Sequence, residues 1–199
     1  NTATFSVVLA SPPVADVTVP LSSSNEAEGT VSSSTLVFTS STWNLPRIVT
    51  VTGVDDLMID GARPYEVRVG PATSDDTAYA GLSGTTVLLT NNDNDMAGLF
   101  ISPTDLFTVE LGASGMFQIA LNTRPSADVT IGLTSLDETE GTVVPSSLTF
   151  TADNFSIPQT VTVAPVDDDV ADGPTNYEIS VRVDATDDSN YAAVREGRV

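Results

Sequence analysis

Ala127-Asp-Val-Thr-Ile131 decides the fold, because the chain spells nearly the same run as Ala15-Asp-Val-Thr-Val19, 112 residues earlier. In each run apolar and polar residues alternate with a period of two, the pattern of a strand with one buried face. Working outward from this pair, the same offset holds on both sides. Phe5-Ser-Val-Val-Leu9 returns as Phe117-Gln-Ile-Ala-Leu121, and Glu28-Gly-Thr-Val31 as Glu140-Gly-Thr-Val143. Val54-Asp-Asp56 returns as Val166-Asp-Asp168, and Asp60-Gly61 as Asp172-Gly173. A repeat of this length is a domain, not a solenoid coil. The chain therefore reads as two tandem copies, residues 1–95 and 96–199. The first copy lacks the opening strand that 97–112 supplies to the second, and the second lacks the closing strand that 88–95 supplies to the first. The expectation is a window on a longer array.

The strand pattern extends through both copies. In the second, candidates are Leu99–Ser102, Phe107–Glu110, Met116–Leu121, Asp128–Leu133, Ser147–Thr151, Gln159–Val163 and Tyr177–Val183. The first copy closes with Thr86–Thr90. Thr, Val and Ile dominate these runs, Gly, Pro, Ser and Asp punctuate them, and no stretch keeps a helical period. About seven short strands per copy predict an all-β chain of two tandem Ig-like antiparallel β-sandwich domains.

Composition removes most chemistry. There are 27 acidic and 7 basic residues in 199, a formal net charge of -20, with no His and no Cys. All the basic residues are Arg. Nucleophile systems built on His or Cys, thiolate or imidazole zinc sites, disulfides and lysine Schiff bases are therefore excluded. An acidic surface repels nucleic acid, and no run of apolar residues is long enough to span a membrane. Hydrophobic residues at 40% still suffice for a packed core. Carboxylate pairs such as Asp55-Asp56 recur in both copies without a cleft signature, so the chain is read as not an enzyme.

Strand parity then sorts the charge. Successive sandwich strands reverse direction, so alternate loops share an end. One end collects the loops around Glu26–Glu28, Asp55–Asp60 and Asn91–Asp95 in the first copy. It collects those around Glu110, Asp137–Glu140 and Asp167–Asp172 in the second. These hold fifteen of the 27 acidic residues. Uncompensated, carboxylates this close repel one another or stay partly protonated. A divalent cation relieves the repulsion, and an all-oxygen set favours Ca2+ over transition metals. Asp75-Asp76 and Asp187-Asp188 fall at the other end and read as turn residues. Tyr65 and Tyr177 read as core-packing residues of a tyrosine corner, and Trp43 and Phe155 as caps over the core.

At these residues the sequence resembles the Calx-beta domain family. The features that match are the Thr108-Val-Glu110-x-Gly112 entry, the Gly141-Thr-Val stretch with Leu148-Thr-Phe150, the Val163-x-x-Val166-Asp-Asp-Asp169 run, and the Thr90-Asn-Asn-Asp-Asn-Asp95 exit. The resemblance covers both copies and is closest to long tandem versions in large bacterial surface proteins. It implies a sandwich that binds Ca2+ at one end. By position, the implied ligands are Glu110, Asp137, Asp167, Asp168 and Asp172 in the second copy, and Asp55, Asp56, Asp60, Asp93 and Asp95 in the first. The copies differ at Asn25, which stands where the second has Asp137, and at Leu57, which stands where it has Asp169.

The expected function is a calcium-stiffened structural module of a long extracellular or cell-surface protein: an adhesin stalk, fibre or filament. Its partners are neighbouring repeats of the same chain or identical subunits. A module for carbohydrates or surface glycans is the alternative, as is an accessory domain of a secreted enzyme.

Overall fold

β-Branched residues at every second position build strands along the whole chain. The structure, a computed structural model, describes residues 1–110, 112–167, 173–194 and 196–199. The described residues are all-β apart from one 3-10 turn at Tyr191–Ala193. They fall into two compact units, one of residues 1–56 and 60–93, the other of 57–59 and 94–199. No helix among them is long and apolar enough to cross a membrane.

The first unit holds β1 (Thr2–Val7), β2 (Val17–Ser23), β3 (Gly29–Val31), β4 (Thr35–Phe38), β5 (Arg47–Gly53), β6 (Arg63–Val69), β7 (Thr73–Ser74) and β8 (Thr85–Asn91). One sheet has the order β1-β5-β3, the other β4-β2-β6-β8, with β7 beside β2. All pairings are antiparallel. Val17, Val19 and Leu21 of β2 face Val49 of β5 through the core, with Leu36 and Phe38 of β4 beside them. The intervening residues of β2 and β4 are more exposed, as a two-residue period demands.

The second unit repeats the plan with β9 (Leu99–Ser102), β10 (Gly115–Leu121), β11 (Val129–Ser135), β12 (Gly141–Val144), β13 (Ser147–Phe150), β14 (Gln159–Pro165), β15 (Ile179–Thr186) and β16 (Gly197–Arg198). Its sheets run β12-β14-β10-β9 and β13-β11-β15-β16. The strip β3, and its copy β12, are strands that the alternation missed; three or four residues carry too little periodicity to declare themselves.

The two copies differ at their margins. β10 lies between β14 and β9, and Phe117 and Ile119 are fully buried. Their counterparts Phe5 and Val7 lie on β1, which among the described residues pairs with β5, and both are half-buried. Phe107–Glu110 is not a strand, contrary to its alternation. The hydrogen bonds described for Val109 close a local turn, with its N–H donating to Ala113 O and Gly112 N–H donating to its carbonyl. β15 starts at Ile179, not at the expected Tyr177, whereas β6 already includes Tyr65. The reason is pairing: β8 runs alongside β6 from Val69 to Arg63, whereas β16 and Val199 run alongside β15 from Val181 to Ile179.

Candidate functional site

Among the described residues, the acid-bearing loops gather at one end of each unit. In the first, Val54 N–H donates to Glu28 O at 3.0 Å. The Asn91 amide donates to Val54 O at 2.6 Å and to Glu28 Oε2 at 3.3 Å, tying the end of β8 to both neighbouring loops. Asp93 Oδ2 accepts N–H bonds from Asp60 at 2.9 Å and Gly61 at 2.8 Å. Gly61 has φ of 75°, a left-handed conformation that glycine adopts without strain, and Gly173 matches it at 78°. Arg63 Nε bonds Asp60 Oδ2 at 2.8 Å. Tyr65 is buried beneath this end. Burial, and then the negative charge of Glu28, push its phenol above the usual tyrosine range.

The second unit reproduces the frame. Val166 N–H donates to Glu140 O at 3.0 Å, and Leu136 N–H to Glu178 O at 2.9 Å. Tyr177 Oη lies 3.0 Å from Thr108 Oγ1. Asp137 turns its carboxylate onto its own loop, where Oδ1 accepts from Thr139 Oγ1 at 2.6 Å and Thr139 N at 3.1 Å. The hydroxyl and then the backbone bond of Thr139 hold the Asp137 carboxyl below the usual range. Asn25 makes the same turn, with Oδ1 accepting from Ala27 N at 3.2 Å. The Asn25/Asp137 difference therefore leaves the loop conformation unchanged.

Of the ligands implied by the resemblance, the structure brings Asp60 and Asp93 together. Asp55 and Asp56 lie exposed on the same loop as Asp60, and Asp95 is half-buried in the second unit. Glu110 and Asp167 are exposed, and Asp137 is committed to its turn through one oxygen. Asp168 and Asp172 lie outside the described residues. Among those described, no three acidic side chains stand close enough to hold a metal ion. The donor chemistry, carboxylate and backbone oxygen alone, suits a hard cation; the described contacts run from carboxylates to N–H groups, to the Thr139 hydroxyl and to Arg63.

The opposite end carries a site that the sequence reading reduced to turn residues. Asp188 is 2% exposed and Asp76 7%. Asp188 Oδ2 accepts from Ser126 N at 2.6 Å and Ser126 Oγ at 2.9 Å, while Oδ1 accepts from Asn190 N at 2.8 Å and Tyr191 N at 3.2 Å. Burial works to raise this carboxyl, but the bonds from Ser126, Asn190 and Tyr191 outweigh it and hold it below the usual range. Tyr191 Oη donates to Thr123 O at 2.7 Å. The first unit repeats the latch: Asp76 accepts from Val14 and Ala78 N–H, and Tyr79 Oη donates to Ser11 O. The bonds from Val14 and then Ala78 lower the Asp76 carboxyl. The signal was present as Asp76-Thr-Ala-Tyr79 and Asp188-Ser-Asn-Tyr191. Phe155, at this end, packs against the core. Trp43 is half-buried, with its carbonyl accepting from Leu9 N–H at 3.1 Å.

No family model and no curated protein matches the chain. Among solved structures it is similar to CBD12 from CALX1.2, at 13% identity and a TM-score of 0.40 over 96% of this chain and 78% of the other. It is also similar to the CsuC–CsuE chaperone–tip adhesion subunit pre-assembly complex of Acinetobacter baumannii, at 10% identity and a TM-score of 0.36 over 100% and 89%. A third likeness, to dimeric latent PorU from Porphyromonas gingivalis, has 15% identity and a TM-score of 0.33 over 97% of this chain and 16% of the other. At these values the likeness goes no further than the general all-β build.

Proposed function

We propose that the chain is a calcium-binding structural repeat module of a long extracellular or cell-surface protein, with a mechanical and not a catalytic role. The supporting observation is that acid-rich loops collect at the same end of both sandwiches while the other end is closed by Asp–Tyr latches. At the acidic end the described contacts between loops are backbone bonds together with the bonds of the Asn91 amide and the Asp93 carboxylate, and Arg63 pairs with Asp60. Bound Ca2+ would draw Asp55, Asp56, Asp60 and Asp93 of the first unit, and Glu110, Asp137, Asp167, Asp168 and Asp172 of the second, toward a common charge. Asp95 would add to this at the connection between repeats. The loops would then stop repelling one another and the end would stiffen. Adjacent repeats or identical subunits would be the partners of such a module.

Differential scanning calorimetry with CaCl2 and with EGTA tests this. A cation at a hundred times its dissociation constant adds about 2.7 kcal/mol per site, or roughly 5 °C or more in melting temperature for a chain of this size. Unchanged melting together with no heat on calcium titration would defeat the proposal.

A further inference from the structure

Asp-Gly occurs twice in the chain, as Asp60-Gly61 and Asp172-Gly173, and the first pair lies wholly among the described residues. An aspartate followed by glycine is open to attack on its own carboxyl by the next peptide nitrogen, because no Cβ on the following residue blocks the approach. At Gly61 the surroundings are open as well: a Cβ built there would meet no atom within 4 Å. Its φ of 75° already places the backbone where residues with side chains rarely go. Every other aspartate of the first unit is followed by a residue that carries a side chain. Asp76 is in addition buried, with its carboxylate accepting from Val14 and Ala78 N–H.

The reacting groups are held by different partners. Asp93 Oδ2 accepts from Gly61 N at 2.8 Å and from Asp60 N at 2.9 Å. Asp60 Oδ2 accepts from Arg63 Nε at 2.8 Å. Arg63 is the first residue of β6, and Asp93 follows the end of β8. The peptide nitrogen is thus tied to one strand end and the carboxyl to another. The nitrogen becomes free to approach Asp60 Cγ when its bond to Asp93 opens, a local event that leaves the rest of the unit folded.

We propose that Asp60 is a site of spontaneous covalent modification, isomerisation to isoaspartate through a succinimide, and that the Asp93 carboxylate restrains it. The Gly61 nitrogen forms a bond to Asp60 Cγ. One carboxyl oxygen leaves as water, taking the proton of that nitrogen and one from solvent. Water then adds to the backbone carbonyl carbon of Asp60 and the bond from that carbon to the Gly61 nitrogen breaks. Gly61 is left joined through Asp60 Cγ, and nothing is oxidised or reduced. The product has one more carbon in its backbone, so the Asp60 and Gly61 N–H groups lose the spacing that lets both reach one Asp93 oxygen. The reaction needs no metal ion and stands apart from the calcium reading.

The test is peptide mapping by mass spectrometry of the full chain, kept for several weeks at physiological temperature and neutral pH in calcium-free buffer. A synthetic peptide of residues 54–66 serves as the unrestrained reference. Isoaspartate should accumulate at Asp60, at least about fivefold more slowly than in the peptide. The Asp93→Ala chain loses two bonds to a charged acceptor and should convert about fivefold faster than wild type, or more. Asp93→Asn keeps an acceptor oxygen and should fall between the two; it carries the comparison if Asp93→Ala fails to fold by circular dichroism. Asp60→Glu should abolish the signal at this position. Three outcomes would overturn the proposal: no isoaspartate at Asp60 in wild type or in the Asp93 variants; equal rates in wild type and the folded Asp93 variants; or as much isoaspartate at Asp55 or Asp56 as at Asp60.

Discussion

Asp188→Ala removes the centre of the latch that joins the loop after β15 to the turn before β11. The carboxylate is 2% exposed and accepts four hydrogen bonds, two on each oxygen. A hydrogen bond to a charged group is worth about 1.5–3 kcal/mol, and donors left buried without an acceptor add their own desolvation cost. The Asn190 N–H regains water more readily than the buried Tyr191 N–H, so a full sum overcounts. A loss of about 3–4 kcal/mol is expected, or roughly 12 °C or more for a domain of about 100 residues. Asp188→Asn should restore little, because each oxygen faces two donors and the amide nitrogen would face a pair of them. Calorimetry between pH 7 and pH 2 supplies the control. A carboxyl whose folded pKa is depressed stabilises fully above its unfolded value near 3.9 and loses that contribution as pH falls through the folded value. The gap between wild type and Asp188→Asn should therefore hold at neutral pH and close only in acid below about pH 4. A loss under 1 kcal/mol for Asp188→Ala, or a gap that does not vary with pH, would refute the reasoning.

Tyr191→Phe deletes one buried hydroxyl and leaves the ring in place, so urea denaturation should show a loss of about 1–2 kcal/mol, through the bond to Thr123 O. Phe117→Ala should cost about 3–5 kcal/mol by the same assay, whereas Phe5→Ala should cost less than half as much, because Phe5 lies on an edge strand and is half-buried. Gly141→Ala would drive a methyl into the Tyr177 ring and hydroxyl; a loss of about 1–3 kcal/mol is expected in thermal melts.

How much of this was legible in the sequence depends on range. Val17, Val19 and Leu21, with Val129, Ile131 and Leu133, declare their buried face through two-residue alternation, because a strand's own geometry sets that period. The gathering of Asp60 with Asp93 followed from strand reversal alone. Phe107–Glu110 failed because alternation states a preference, while a strand needs a backbone partner that only tertiary structure provides. The latch failed for another reason: Asp188 and Ser126 are 62 residues apart, and no local pattern reveals whom a turn aspartate will bind. Convergence of carboxylates on one point is likewise a matter of side-chain direction, which parity of loops leaves open.

The acid-rich loops gathered at one end of each unit give the molecule a salt-dependent colloidal character. What keeps copies of the chain apart is the collective charge of -20, acting at a distance. Such a barrier is set by the solvent: the screening length falls to about 10 Å at 0.1 M salt and about 3 Å at 1 M. Dispersion of this chain is therefore governed by ionic strength, with low salt keeping molecules apart and high salt letting them approach.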